Sequence, residues 1–293
     1  MTETATLPKI KSLVPWFGGN RMLAEHVGNQ LGPLEWVGIP FFGSGPELLH
    51  IQARSIVAND LHLHVINLAR CIACPDTRPI LLKALKATLF HAKELADAQE
   101  WCKQYQPSFP HAPDIQAAYC YFVSQWMGRS AKAGTKGEFD CGIPVRWSAS
   151  GGGSAVRFQS AVRSIAAWGR ALRRVEFMTL DAMEFLWKCK DADRHGIYCD
   201  PPFPGPGDEY THTIDEAYHR DLAIKLASFE DTRVVCRFYD HPLIRELYRE
   251  GHCRGWSWLR LKGRKGTNEE APEVLIVNGP LRAAPSKAAE TLF

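Results

Sequence analysis

Short apolar runs, each leading into a helical pattern, constrain this chain more than any other feature. Residues 36–39, 56–58 and 197–199 are continuous apolar or aromatic stretches of strand length, and 234–238 is a fourth, interrupted only by Arg237. They lack the polar alternation of a half-exposed strand, so they read as buried parallel strands. Residues 177–180 form a weaker fifth run. Helical patterns cover 46–53, 61–71 and 182–188, and a further one at 241–250 has Pro242 in its first turn and Gly251 past its end. This alternation predicts an α/β fold with a doubly wound sheet. Residues 256–261 and 274–277 are expected to pair as a terminal hairpin.

The middle of the chain breaks the pattern. Residues 79–105 are helical and mostly amphipathic. Pro107, Pro110 and Pro113 interrupt them, and Asp114 is placed to cap a helix running to Met127. Residues 128–154 are rich in Gly, Lys, Arg and Ser, and 148–154 read as a loop. We therefore read 1–71 and 175–293 as a core domain and 72–174 as an insertion in it. A chain of 293 residues has room for both.

Composition narrows the function classes. Hydrophobic residues make up 45%, enough for a sizeable core. The first twelve residues carry no apolar leader and no run is long enough to span a bilayer, so a soluble, cytoplasmic, non-membrane protein is expected. The nine cysteines are irregularly spaced and expected to be reduced. Cys71 and Cys74 have no second pair to complete a zinc site, so they read as thiols at a helix end. Net charge is only +3, but it is unevenly placed. Arg129, Lys132, Lys136, Arg146, Arg157, Arg163, Arg170, Arg173 and Arg174 face only Glu138 and Asp140. Residues 163–174 fit a solvated helix face. Residues 129–146 lack helical periodicity and, with Arg254, Arg260, Lys262, Arg264 and Lys265, fit a surface that follows phosphates.

Four local signals carry chemistry. Pro15, Trp16, Phe17, Gly18, Gly19 and Asn20 combine aromatic faces with glycines that permit close backbone approach. Phe42, Gly43, Ser44 and Gly45 follow the first apolar run and suit a tight strand-to-helix turn against a ligand. Asp60 ends the next run, 17 residues after Gly43, where an acid accepts hydrogen bonds from ribose hydroxyls. Leu48 replaces the third glycine of a dinucleotide fingerprint, which favours a smaller adenosine-containing ligand. His62 and His64, close to Asp60, read as surface or packing residues. Finally, Asp200, Pro201, Pro202 and Phe203 end another apolar run. Two prolines there remove two N–H donors and hold the backbone extended. A carboxylate, a proline carbonyl and an aromatic plate together suit the exocyclic amine of a stacked base.

These motifs resemble the Dam-type, α-class family of DNA adenine-N6 methyltransferases over about residues 13–70 and 175–278. The resemblance implies a Rossmann-like methyltransferase sheet with a mostly helical inserted target-recognition domain. It implies S-adenosylmethionine held by Trp16, Phe17, Gly18, Gly19, Asn20, Phe42, Gly43, Ser44, Gly45, Asp60, Asp181 and Asp200, with S-adenosylhomocysteine as product and no metal. Catalysis would fall to Asp200, Pro201, Pro202 and Phe203 acting on an adenine flipped from double-stranded DNA. Arg129, Lys132, Lys136, Arg146, Arg260, Lys262 and Arg264 are the candidate DNA contacts, on a chain expected to act as a monomer in a bacterial or phage-infected cell. Three positions depart from the family pattern: Asn20 stands where lysine is usual, Ile39 where an acid is usual, and Phe203 where tyrosine is usual. Arg21 is the expected source of the missing positive charge. Cytosine-N4 methylation uses the same amine chemistry and stays open, as does a homologue that binds without turnover. Cytosine-C5 chemistry does not, because the chain has no Pro-Cys dipeptide. RNA is disfavoured as a substrate because no recognised RNA module is present.

Overall fold

The computed structural model describes residues 8–109, 111–128, 132–145, 153–205, 209–250, 255–261 and 273–283. Seven strands form one mixed sheet: β1 (Leu34–Ile39), β2 (Ala53–Asn59), β3 (Val175–Met178), β4 (His195–Cys199), β5 (Arg233–Tyr239), β6 (Trp256–Leu261) and β7 (Glu273–Asn278). Their spatial order is β3-β2-β1-β4-β5-β7-β6. The first five are parallel to their neighbours, while β7 runs antiparallel to β5 and β6 antiparallel to β7. The expected α/β class and terminal hairpin are both present.

Burial on both faces explains why the strands read as continuous apolar runs. Alternate residues enter two separate cores. Tyr198, Val235, Leu275 and Val277 join one; Ile197, Cys199, Val234, Cys236, Val274 and Ile276 join the other. The first core is covered by α1 (Ala24–Leu31), α2 (Leu63–Ala73), α3 (Thr77–Ala87), α4 (Ala92–Gln104), α5 (Ile115–Met127) and α6 (Ser154–Leu172). The second lies under α7 (Ala182–Lys188), α8 (Glu216–Ala227) and α9 (Pro242–Leu247).

Helices α3 to α6 come from the 72–174 stretch, and they share a hydrophobic core with the sheet. Phe122, Trp126, Phe158 and Trp168 cluster with Val37 and Ile56. The indole N–H groups of Trp126 and Trp168 donate to the carbonyls of Leu13 and Ile10, which ties the N-terminal segment to these helices. Asp114 caps α5 as expected, its carboxylate accepting from the Ala117 amide at 2.9 Å. Among the described residues no helix is long and apolar enough to cross a membrane.

Four expectations need correction. Residues 46–53 are not a helix: one 3-10 turn (Pro46–Leu49) gives way to β2, which begins at Ala53. The guanidinium of Arg174 takes the carbonyls of Leu48, Ile51 and Ala53, which a continuing helix would have used internally. Arg174 is thus a tie between segments rather than part of a solvated helix face, since α6 ends at Leu172. The helical stretch 79–105 is split, with α4 restarting at His91, whose ring accepts from the Lys93 amide. The third strand lies two residues earlier than expected, because the Leu180 amide is claimed by the side chain of Asn59.

Candidate functional site

From β1 the chain steps outward to β2 and β3, then returns past β1 to β4 and β5. In open α/β sheets a crevice forms at such a reversal, beyond the carboxyl ends of the strands. A cleft of about 380 Å³ lies there. Its wall includes Trp16, Gly18, Gly19, Asn20, Phe42, Gly43, Ser44, Asp60, Asp181, Asp200 and Pro202. The four local signals of the sequence therefore converge on one cavity.

The β1–β2 wall is built largely from backbone. Gly43 and Gly45 have φ of +52° and +60°, a region that costs an L side chain about 1–2 kcal/mol. A Cβ on Gly45 would stand 2.3 Å from the Phe42 ring. Asp60 spans the turn: one oxygen accepts from the Gly43 amide at 2.7 Å, the other from the His62 amide at 2.9 Å. Behind it, the buried amide of Asn59 bonds the Pro40 and Leu180 carbonyls, locking together the ends of β1, β2 and β3. Trp16 is wedged between two glycines, with a Cβ on Gly43 3.2 Å from its indole and one on Gly134 only 2.6 Å away. Phe17 and Gly45 support this wall from outside the cleft. The Phe17 ring packs on Tyr210, and Gly45 opens the 3-10 turn. Asp181 caps α7 through the Met183 amide and accepts from the Tyr218 hydroxyl at 3.0 Å.

The β4–β5 wall is built from side chains. Asn20 is 5% exposed and donates to the Tyr198 hydroxyl and to Glu47. The Tyr198 hydroxyl in turn donates to Asp200 at 3.1 Å. Arg237, from the middle of β5, donates to Asp200 at 3.1 Å, to the Gly18 carbonyl at 2.7 Å and to Glu273 at 2.8 Å. Burial pushes the Asp200 carboxyl upward, opposed by the Arg237 charge and by the hydrogen bonds of Arg237 and Tyr198. Glu47 is 1% exposed. Burial, reinforced by the charge of Asp200, lifts its carboxyl to about 8, against the smaller pull of its own backbone amide, Asn20 and Arg237.

Phe203 lies outside the cleft. It is 8% exposed, meets Tyr239 edge-on at 4.7 Å and has the Arg237 guanidinium 5.1 Å from its ring centre. Pro201, buried, is also off the cleft wall. Lys132 and Lys136 are exposed on a turn at the cleft rim, where Gly134 lines the cavity and the Lys136 amide bonds the Glu209 carbonyl. Arg260 projects from β6, packed over Trp258 and 3.6 Å from Glu250. Arg129, Arg146, Lys262 and Arg264 lie outside the described residues.

Sequence reasoning missed Glu47, Tyr198, Arg237 and Glu138. Arg21 is exposed and is not part of the cleft wall; the buried cation at the site is Arg237. The signal for it was an arginine inside an apolar strand, with no polar alternation to point it at solvent. Glu138, counted above as a mere counter-charge, is buried, accepts from the Gly134 amide at 2.8 Å and pairs with His62 at 2.8 Å. His62 and His64 are both buried and not on the surface, and His62 lines the cleft. Cys71 and Cys74 sit at the end of α2, as free thiols. Among the described residues no group of three or more His, Cys, Asp or Glu side chains is arranged to hold a metal ion.

No protein-family model matches the chain. Among curated proteins it is similar to the retron Ec67 DNA adenine methylase of Escherichia coli, 22% identical over 284 residues, an alignment covering 92% of each chain.

Proposed function

We propose that this chain is a site-specific DNA adenine-N6 methyltransferase of the Dam type that uses S-adenosylmethionine. One observation carries the reading. Asp200 and Pro202, at the end of β4, face the same cleft as Trp16, the Gly43 turn, Asp60 and Asp181. A strand-end glycine turn, a carboxylate on the neighbouring strand end and the Asp200 carboxylate thus line one cavity. The whole-length similarity to a DNA adenine methylase supports the same conclusion.

The residues present fit the cofactor. The backbone of the Gly43 turn forms part of the cleft wall, and a buried Glu47 oxygen on that wall has no hydrogen-bond partner. Trp16, Gly18, Gly19, Asn20, Phe42, Gly43, Ser44, Asp60 and Asp181 would hold it, with Phe17 and Gly45 shaping the wall. S-adenosylmethionine supplies a methyl group on a positively charged sulfur, electrophilic enough to react with an amine directly. The chain's own contribution is positioning. Asp200 and the Pro201 carbonyl accept the two hydrogens of the target amine, which turns the nitrogen lone pair toward the cleft. Arg237 and Tyr198 hold the Asp200 carboxylate in place. Flipping the adenine into reach costs a few kcal/mol. Stacking it on Phe203 requires that ring to come out from under Arg237.

Residues 72–174 are assigned to DNA reading, with Lys132 and Lys136 placed to meet phosphates beside the cleft. Binding should then weaken steeply as salt rises. The central test transfers a labelled methyl group to double-stranded DNA and identifies the modified nucleoside after digestion. N6-methyladenine is the expected product. N4-methylcytosine, or no transfer by well-folded protein, would overturn the assignment.

A further inference from the structure

Glu47 is the least explained group in the cleft. It lies in the 3-10 turn after the glycine loop, 1% exposed, and lines the cavity. One oxygen is 3.4 Å from the Asn20 amide nitrogen, and the other has no hydrogen-bond partner. A buried acceptor left bare costs about 1–3 kcal/mol, and more if charged. Such a group calls for a partner, and on a cleft wall a ligand can supply it. The surroundings indicate which ligand. Glu47 is reached by Asn20 from the N-terminal loop, and the charges it feels are those of Asp200 at the end of β4 and Arg237 on β5. Arg237 is already committed to Asp200, Glu273 and the Gly18 carbonyl. Glu47 is therefore a carboxyl without a cation of its own, beside the loop assigned to the cofactor.

Resting on that assignment, we propose that Glu47 binds the α-ammonium group of the cofactor's amino-acid portion. The ammonium donates one hydrogen to the orphaned oxygen and keeps its own charge. Glu47 gives its proton to solvent and becomes the carboxylate partner of the ammonium. The high-lying carboxyl of Glu47, at about 8, makes this release observable at neutral pH.

Calorimetric titration of the full chain with S-adenosylhomocysteine and with 5′-methylthioadenosine, which lacks the amino-acid portion, separates this claim from the cofactor assignment. Glu47→Gln should weaken S-adenosylhomocysteine binding about 10- to 100-fold, the worth of a charge-assisted hydrogen bond. It should leave methylthioadenosine binding unchanged. In the unaltered chain, titrations in two buffers of different ionisation enthalpy should show proton release with S-adenosylhomocysteine and none with methylthioadenosine. That second measurement needs no variant. Equal weakening of both ligands in Glu47→Gln, undiminished S-adenosylhomocysteine binding, or the absence of proton release would each overturn the role of Glu47 alone. An unaltered chain that binds neither ligand would remove the cofactor assignment and this inference with it.

Discussion

The two walls of the cleft present an aspartate each at a strand end, and they hold it by opposite means. Asp60, after β2, is gripped by two backbone amides from its own neighbourhood, those of Gly43 and His62. Asp200, after β4, is gripped by the side chains of Tyr198 and Arg237. The first arrangement needs only a glycine turn and the start of a helix. The second needs a buried guanidinium, itself held by Glu273 on β7 and by the Gly18 carbonyl. Backbone amides are present whatever the side chains do, so the β2 wall tolerates change. The β4 wall is a closed network of charges in which each member has to be matched.

Removing its central cation should therefore have the largest effect. Arg237→Met leaves Asp200 and Glu273 buried without their partner, and breaking such a pair costs about 3–5 kcal/mol. Asp60→Asn keeps a carbonyl oxygen to accept an amide and should cost about 1 kcal/mol. Urea unfolding of both variants tests the contrast; equal losses would mean that the walls do not differ in kind.

The same contrast explains what could be read in advance. The β1–β2 wall follows from local signals: Gly43, Gly45 and Asp60 announce a turn and an acceptor within one stretch of chain. The strand ends of β1, β2, β4 and β5 were legible because both sheet faces are buried, which leaves apolar runs without polar alternation. The β4–β5 wall joins Asn20 to Tyr198 and Arg237 to Gly18, pairs 178 and 219 residues apart. No pattern along the chain encodes that proximity. Glu47 was hidden differently. Reading 46–53 as a helix made it an ordinary acid of a first turn, whereas the actual 3-10 turn carries it into the core.

Asp200→Asn comes next. It keeps the shape and an acceptor but removes the charge that Arg237 holds at the cleft. Methyl transfer should fall at least about 100-fold, the cost of misplacing a reacting group. The circular dichroism spectrum should be unchanged. Full transfer activity would separate the carboxylate from the chemistry and leave it as mere structural ballast for Arg237. On the opposite wall, Gly45→Ala forces an L side chain into φ +60° and drives its Cβ against the Phe42 ring. A loss of about 1–2 kcal/mol in stability is expected. Affinity for S-adenosylhomocysteine should fall as well, because the Phe42 ring that this Cβ would displace lines the cleft. Unchanged binding in the Gly45→Ala variant would show that the turn is not part of the cradle.

The last test is pH, where a single group changes stability by at most about 1.4 kcal/mol per pH unit. Glu47 on one wall and His62 on the other tilt stability the same way from opposite charges. Glu47 titrates at 4.5 when unfolded and about 8 when folded, so the folded chain holds the extra proton in between. Stability should fall as pH rises across that window and level off above it. For His62, burial disfavours the charged ring, but the Glu138 carboxylate, its hydrogen bond and the charge of Asp60 together outweigh it and raise the imidazole above 6.5. The stability of that pair is fully present below 6.5 and is lost as pH rises through the folded value. In urea unfolding from about pH 5 to about pH 9 the two contributions should appear as differences between the unaltered chain and its variants. Glu47→Gln should flatten the part below about 8, and Glu138→Gln only the part above 6.5. If either variant abolished the whole slope, the two walls would be titrating as one unit, and their separation into a backbone-held and a side-chain-held half would not survive.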